Sequence, residues 1–404
     1  MNRKVGVCLK ALPSARRLDY HYIAMQAGFW AMFAAICAYQ AALLQGRGFS
    51  NGQVGLIIAV RCLAGIVCQP ALGGFADRHP HIPLKYIVSA SLGLSFVAGV
   101  IFTLLPMGMA GTLAVFVVIG GLELSAYPLM DAMAIQFINA GAPIRYSLGR
   151  GIGPFAYAVC CVVLGLQVGR WGVESVLITH TALVILEILL VGTYPPFRAE
   201  APAPGAEASG PHSALYLLRH NPRFTLMLLG VLCGLTGILP MSNFLVNVVL
   251  DRGGTQPDLG AALFVMAACE LPTAFLFQRL LRRWGSARLL MVSLACGGLK
   301  AVGLLLAPSY LWVCLVQSFQ MLGYGLFTPS SVYYVNESVP AGDRVRGQTI
   351  MMVASNGLGG VLGSLLAGQV LDRWGVDRML LFCAALCAAG ALLAGLSLRR
   401  PKAA

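Results

Sequence analysis

Residues 110–138 read AGTLAVFVVIGGLELSAYPLMDAMAIQFI. The run is apolar almost throughout, and its only charges are Glu123 and Asp131. A helix needs about 20 such residues to cross the hydrocarbon core, whereas a barrel strand alternates in polarity and needs about 9–11. Length and continuity therefore predict a membrane-crossing helix, because a helix satisfies every backbone group within itself. The two acids stand at a depth where a lipid-facing surface has no use for charge, and charge there usually faces a polar pathway.

The rest of the chain repeats this reading. The sequence is 58% hydrophobic and 11% charged, with a mean hydropathy of +0.78, which excludes a soluble core protein. Polar and Gly/Pro breaks divide it into twelve candidate spans, about 20–44, 53–76, 84–105, 110–138, 147–169, 174–194, 222–250, 258–280, 287–307, 310–337, 344–370 and 377–398. The fold class is an all-α membrane protein of twelve transmembrane helices. Only three of its 28 Lys and Arg residues, Arg61, Arg150 and Lys300, fall well inside spans, beside the acids Glu123, Asp131, Glu187 and Glu270.

The remaining basic residues set the topology. Twenty lie on the side that holds both termini, Arg78, Lys85, Arg145, Arg282 and Arg344 among them, and five on the other: Arg47, Arg170, Arg252, Arg373 and Arg378. This bias places both termini in the cytoplasm, with the first span a retained anchor rather than a cleaved signal. The net charge of +13 reads as orientation signal, since no aromatics are interleaved with a basic groove as nucleic-acid binding would need. The twelve Cys are scattered without zinc spacing, and His79 and His81 lack further ligands, so no metal site is expected. Gly-Lys never occurs and HExxH is absent, which excludes a Walker A ATPase and a zinc hydrolase. The chain is expected to be no enzyme and to hold no cofactor.

A half-chain duplication is also visible. Arg170-Trp171-Gly172-Val173-Glu174 closes the fifth span and Arg373-Trp374-Gly375-Val376-Asp377 the eleventh, an offset of 375 − 172 = 203 residues, while Arg283-Trp284-Gly285 follows the eighth. Ala199 to Ser213, rich in Ala, Pro and Gly, reads as a flexible cytoplasmic linker. The expected organisation is a six-helix half at 1–198, the linker at 199–213 and a second six-helix half at 214–404.

Gln69-Pro70-Ala71-Leu72-Gly73-Gly74-Phe75-Ala76-Asp77-Arg78 resembles the loop signature between spans two and three of the major facilitator superfamily. That resemblance implies two six-helix repeats rocking around a midplane site, with Gly73, Asp77 and Arg78 in a cytoplasmic latch. In the second half Arg282 stands where the acid of the signature would be, which implies a one-sided latch. Glu337 and Arg344, charged and near the cytoplasmic end of span ten, are read as a second gate.

A narrower resemblance, over most of the chain, is to the lactose permease and phenylpropionate permease branch. Pro128-Leu129-Met130-Asp131-Ala132, followed by Tyr146-Ser147-Leu148-Gly149-Arg150-Gly151-Ile152-Gly153, is similar to that branch's acid and Arg pair. By that resemblance Asp131 and Arg150 contact substrate, Tyr157 stacks on it, Glu270 is a substrate carboxylate, and Lys300 stands for an Arg used in proton coupling. Gln320 and Gly323 occupy the positions of the branch's proton-handling His and Glu, so its proton site is absent.

Another carboxyl must then carry any proton: Glu123, Asp131 or Glu270, with Lys300 beside the last. A carboxyl group in low dielectric favours its neutral form, which suits a carrier. Glu123, Tyr127 and Asp131, spaced i, i+4, i+8, read as a stripe lining one cavity. Asn243 and Asn247 on span seven, Gln278 on span eight, Gln317, Gln320 and Tyr324 on span ten, and Gln348 and Asn356 on span eleven add polar groups able to bind solute.

The sequence thus reads as a monomeric secondary transporter of the cell or inner membrane. It is expected to import a small polar or anionic solute, a sugar, nucleoside or aromatic acid, together with protons by alternating access. The alternatives are an exporter of amphipathic drugs or metabolites and a non-transporting sensor of the same fold.

Overall fold

The computed structural model describes residues 15–197 and 213–399. The expected linker lies outside the described residues except for Ser213, whose hydroxyl caps a short helix, Ala214–His220.

The spans run Arg16–Gly46, Asn51–Arg78, Leu84–Leu104, Met109–Asn139, Tyr146–Trp171, Ser175–Thr193, Pro222–Asn243, the bent pair Asp258–Thr273 and Phe275–Trp284, Ser286–Leu305, Tyr310–Ser338 and Ala341–Arg399. At about 1.5 Å per residue, the last would be about three times as long as the hydrocarbon core is thick. Gly375 breaks it with φ 78° and ψ −175°. Two crossings, 341–374 and 376–399, therefore replace one, and the described chain crosses twelve times. Gly172 and Gly285 share that backbone geometry. The Arg-Trp-Gly tripeptide is thus a helix stop used three times, because the positive φ favours glycine. The outer surfaces carry Val67, Leu94, Leu166 and Leu392, each at least 60% exposed, as a lipid-facing helix requires.

An even number of crossings brings both ends of the described chain to one face, called proximal here; the opposite face is distal. The distal loops carry a tie that occurs twice. Arg47 forms a bidentate pair with Glu174 and donates to the carbonyl of Phe102 at 2.8 Å. About 200 residues on, Arg252 pairs with Asp377 and donates to the carbonyl of Leu305 at 3.1 Å. In each half one guanidinium thus joins the loop after the first span, the end of the third and the turn after the fifth. Ser50 and Gln53 form a capping box on the helix that follows, and at the matching place in the second half Thr255 donates to the Asp258 carboxylate.

The halves meet at the distal face. Among the described residues, every hydrogen bond between them lies there. Asn51 donates to Asp372 through its backbone and its side-chain amide, both at 2.8 Å, and the Gly52 N–H donates at 2.7 Å. Asn247 joins the clasp through Asn51 and Gln45. Asp372, on span eleven, thus caps the start of span two from the other half, where its negative charge meets the positive helix end. On the other flank, spans five and eight approach so closely that a methyl on Gly165 would meet the Pro257 carbonyl at 2.7 Å. At the proximal ends of spans two and five the situation reverses, for Gly73, Gly74 and Gly151 have nothing within 4 Å of an added methyl. The contacts that join the halves thus gather toward the distal face.

Asp372→Asn keeps the shape of the cap and removes its charge. A negative charge at a helix start is worth about 0.3–1 kcal/mol, so the distal clasp is expected to open about two- to fivefold more often. A cysteine replacing the buried Ser364, just beneath the clasp, reports this as correspondingly faster alkylation by an impermeant maleimide. An unchanged rate would show that the clasp is held elsewhere.

Candidate functional site

Three polar clusters stand inside the bundle, each built around one acid. The first lies toward the proximal opening. Asp131 accepts from Tyr22 Oη at 2.9 Å, Gln26 Nε2 at 3.0 Å and Arg150 Nη1 at 2.5 Å. The Arg150 guanidinium lies 5.0 Å from the centre of the Tyr127 ring, a cation–π contact. Asp131 is buried while the Arg150 side chain is 43% exposed. The acid anchors the cation, and the cation faces the opening.

The second cluster sits where the helices of the second half are interrupted. Span eight is interrupted between Ala268 and Leu271, ahead of Pro272, which leaves Glu270 at the interruption and four residues before a 58° bend between Thr273 and Phe275. Span ten tightens into a 3₁₀ turn over Gln317–Met321 and breaks at Gly323, where ψ is −103°. Span eleven widens into a π turn over Val353–Gly359. These interruptions touch. Thr273 Oγ1 donates to the Met321 carbonyl at 2.9 Å, and Tyr324 Oη donates to Asn356 Oδ1 at 2.9 Å. Broken helices are tolerated at membrane depth where they line a cavity, and π turns gather at functional sites. Between the breaks, Lys300 Nζ donates to Gln320 Oε1 at 2.8 Å, and Gln320 Nε2 donates to Glu270 Oε1 at 3.0 Å. Lys300 and Glu270 are therefore joined through an amide rather than directly.

Opposite this cluster the first half presents an aromatic wall of Phe29, Trp30, Phe33, Tyr127 and Tyr157, with ring centres 5.1–6.4 Å apart. Tyr157 lies within electrostatic range of Arg61 in its own half and of Glu270 in the other. Arg61 is 5% exposed, lies 5.6 Å from the Phe33 ring centre and donates to Cys37 Sγ at 3.2 Å. The gap thus combines ring faces, a phenol, a carboxyl and amides. Such a set can stack on one face of a solute and hydrogen-bond its hydroxyl groups.

The third cluster departs from the expected stripe. Glu123 does not line the gap with Tyr127 and Asp131; it points between spans three and six, accepting from Ser95 Oγ at 2.5 Å and pairing with His180 Nε2 at 2.9 Å. The reason is geometric, since each step of four residues turns about 40° and two steps turn about 80°. His180 escaped the sequence reading because a lone histidine in an apolar span has no motif. Its one signal was its depth in span six.

Asn243 Nδ2 donates to Ser364 Oγ, tying spans seven and eleven, and Asn247 belongs to the distal clasp. Gln278 Nε2 donates to Tyr333 Oη. Gly73, Asp77 and Arg78 lie at the proximal end of span two, where Arg78 Nε donates to the Gly74 carbonyl. Glu337 accepts from Ser286 Oγ at 2.6 Å, which links spans nine and ten within one half, and Arg344 is exposed. Tyr22 and Gln26, which hold Asp131, carried no sequence signal because their partner is more than 100 residues away.

The chain matches the family described as MFS_1 like family over residues 22–382. It is 24% identical to the maltose permease of Geobacillus stearothermophilus over 408 residues, 99% of each chain. It is 21% identical to the xanthosine permease of Escherichia coli K12 over 350 residues, 81% of this chain and 82% of that one. Its fold matches the crystal structure of the nucleoside transporter NupG with a TM-score of 0.79, at 15% identity over 94% of this chain and 98% of that one.

A Lys300→Met change strips Glu270 of its bridged cation inside the bundle. The expected cost is a fall of about 5 °C in melting temperature, largely recovered when Glu270→Gln is added, because the neutral pair leaves no lone charge. Additive losses in the double variant would show that the two residues act independently.

Proposed function

Because this chain belongs to the MFS_1 like family, a family of membrane transporters, we propose that it imports a hydroxyl-rich organic solute, a sugar or a nucleoside, together with protons by alternating access. It is a transporter rather than an enzyme, and its substrate is a small molecule. The observation that carries the reading is the meeting of three interrupted helices, spans eight, ten and eleven, across the gap from an aromatic wall.

In this reading Tyr157 stacks on the solute, while Glu270 and Gln320 accept and donate to its hydroxyl groups, held in place by Lys300. Arg150, fixed by Asp131 and facing the proximal opening, meets the solute on its way through. Asn243 and Asn247 act at one remove by setting the position of span seven. Asp131 and Glu270 each have a cation at hand, so a proton arriving at either displaces an existing partner. The resemblance of this chain to a maltose permease and a xanthosine permease supports a hydroxyl-rich solute. The excess of basic residues on the proximal side supports a cytoplasmic proximal face, in which case the structure is inward-open. On rocking, the proximal ends carrying Gly73, Asp77, Arg78, Glu337 and Arg344 would close while the Asp372 clasp opens. No interface is needed for any of these steps, and a monomer suffices.

A thermal-stability screen of the purified protein against maltose, xanthosine, other sugars and nucleosides, and organic acids tests the reading. A ligand at about 100 times its dissociation constant adds about 2.7 kcal/mol to the folded state. A sugar or nucleoside is expected to raise the melting temperature of the wild type and not of Tyr157→Ala or Glu270→Gln. A response confined to organic acids would overturn the hydroxyl-rich class, and one that survives both variants would move the site elsewhere.

A further inference from the structure

The buried Glu123 and His180 pair has no place in the solute site just described. It lies inside the first half, between spans three, four and six. Glu123 and His180 are each 1% exposed, and Ser95 is fully buried. Glu123 Oε1 already accepts from Ser95 and meets His180 Nε2, yet Glu123 Oε2 and His180 Nδ1, both buried, have no partner. Two titratable groups thus share one hydrogen bond and keep a free lone pair at each end. An orphaned polar atom in a low-dielectric interior costs about 1–3 kcal/mol, and each of these two is an atom that can take up a proton.

We propose that Glu123 and His180 form the binding site for the transported proton, off the solute path, and that Arg61 couples it to the gap. This rests on the transport reading above. The proton comes to rest at Nδ1 or Oε2, no other bond being made or broken. Gly120, three residues before Glu123, packs directly on Arg61 of span two, and Glu123 is within electrostatic reach of that guanidinium. Around the pair, span three contributes the hydroxyls of Ser91 and Ser95, and span two contributes Arg61. Span six adds Thr181 and, seven residues along, Glu187, which is packed against Gly28 of span one with neither oxygen partnered. Span five, through Gln167, engages Thr179.

The charges then work as a switch. With Glu123 ionised and His180 neutral, Arg61 is balanced. A proton on the pair removes that balance and leaves one net positive charge beside Tyr157 and the gap, where it strengthens the hold on an oxygen-rich solute. Solute binding and proton binding favour each other, and the reciprocity of linked equilibria makes each retain the other through a half-cycle. An empty carrier can return only after the proton has left.

Glu123→Gln and His180→Gln test the proposal, with maltose and xanthosine as probes in proteoliposomes. Both variants are expected to exchange the transported probe across the vesicle wall at near wild-type rates, while accumulation driven by an imposed pH gradient falls at least about tenfold. Wild-type accumulation in both variants, or equal loss of exchange and accumulation, would overturn the proposal. An infrared pH titration of the purified protein supplies a readout that needs no solute. One titrating carboxyl band is expected to vanish in Glu123→Gln and to shift its midpoint in His180→Gln; a titration identical to wild type in both overturns the site. Should the wild type move neither probe, the transport reading fails while the titration still decides whether the pair binds a proton. Should Glu123→Gln fail to fold, His180→Gln carries both measurements.

Discussion

A cation inside a bilayer must be matched by an acid, and this molecule is arranged around that requirement. Placing a lone Lys or Arg at the centre of a span costs about 2.5–3.5 kcal/mol on insertion scales. Each of the three cations within the spans answers it differently. Arg150 binds Asp131 directly, Lys300 reaches Glu270 through the amide of Gln320, and Arg61 stands within the field of Glu123 without a hydrogen bond to it. The tightness of each match grades its use. In the proposed mechanism the direct pair anchors, the bridged pair yields to a hydroxyl group, and the pair held only by field responds to a change of charge. Glu187 is the exception, a buried acid without a cation, and nothing in the structure beyond its packing on Gly28 accounts for it.

The same economy shapes the distal face. The Arg47 and Arg252 ties lie within each half separately and cross-link three of its segments. The contacts that join the halves are of another kind. They are helix caps and amides at an exposed edge, strong enough to hold a state and weak enough to release it. Rigid halves with a modest clasp are what rocking requires, and the close passage of spans five and eight makes the flank of the hinge.

The twelve crossings were legible in the sequence because hydropathy needs no tertiary context, and most span ends fall within a few residues of those read from polar breaks. The interruptions were not. Pro272 hinted at the bend by Glu270, but the π turn at Val353–Gly359 contains no proline, and its only local sign is a cluster of glycines that also suits plain helix packing. Spacing along a helix gives a direction and no depth, which is why Asn247 read as a solute ligand and stands in the clasp. It also drifts, which is why Glu123 read with Tyr127 and faces elsewhere. The repeated Arg47 and Arg252 ties were invisible because each joins residues more than 120 positions apart. Charge at span depth singled out Asp131, Arg150 and Lys300 and resemblance gave them roles, whereas His180, with no counterpart in any motif, had only its depth in span six to announce it.

In the proposed mechanism solute and proton cross together through this bundle. Its most direct test is the pH of a weakly buffered medium around proteoliposomes when maltose or xanthosine is added to the outside. The account predicts that the probe that is taken up makes the medium more alkaline, and that an agent carrying protons freely across the lipid abolishes the change. Uptake of a probe with no movement of pH would contradict it.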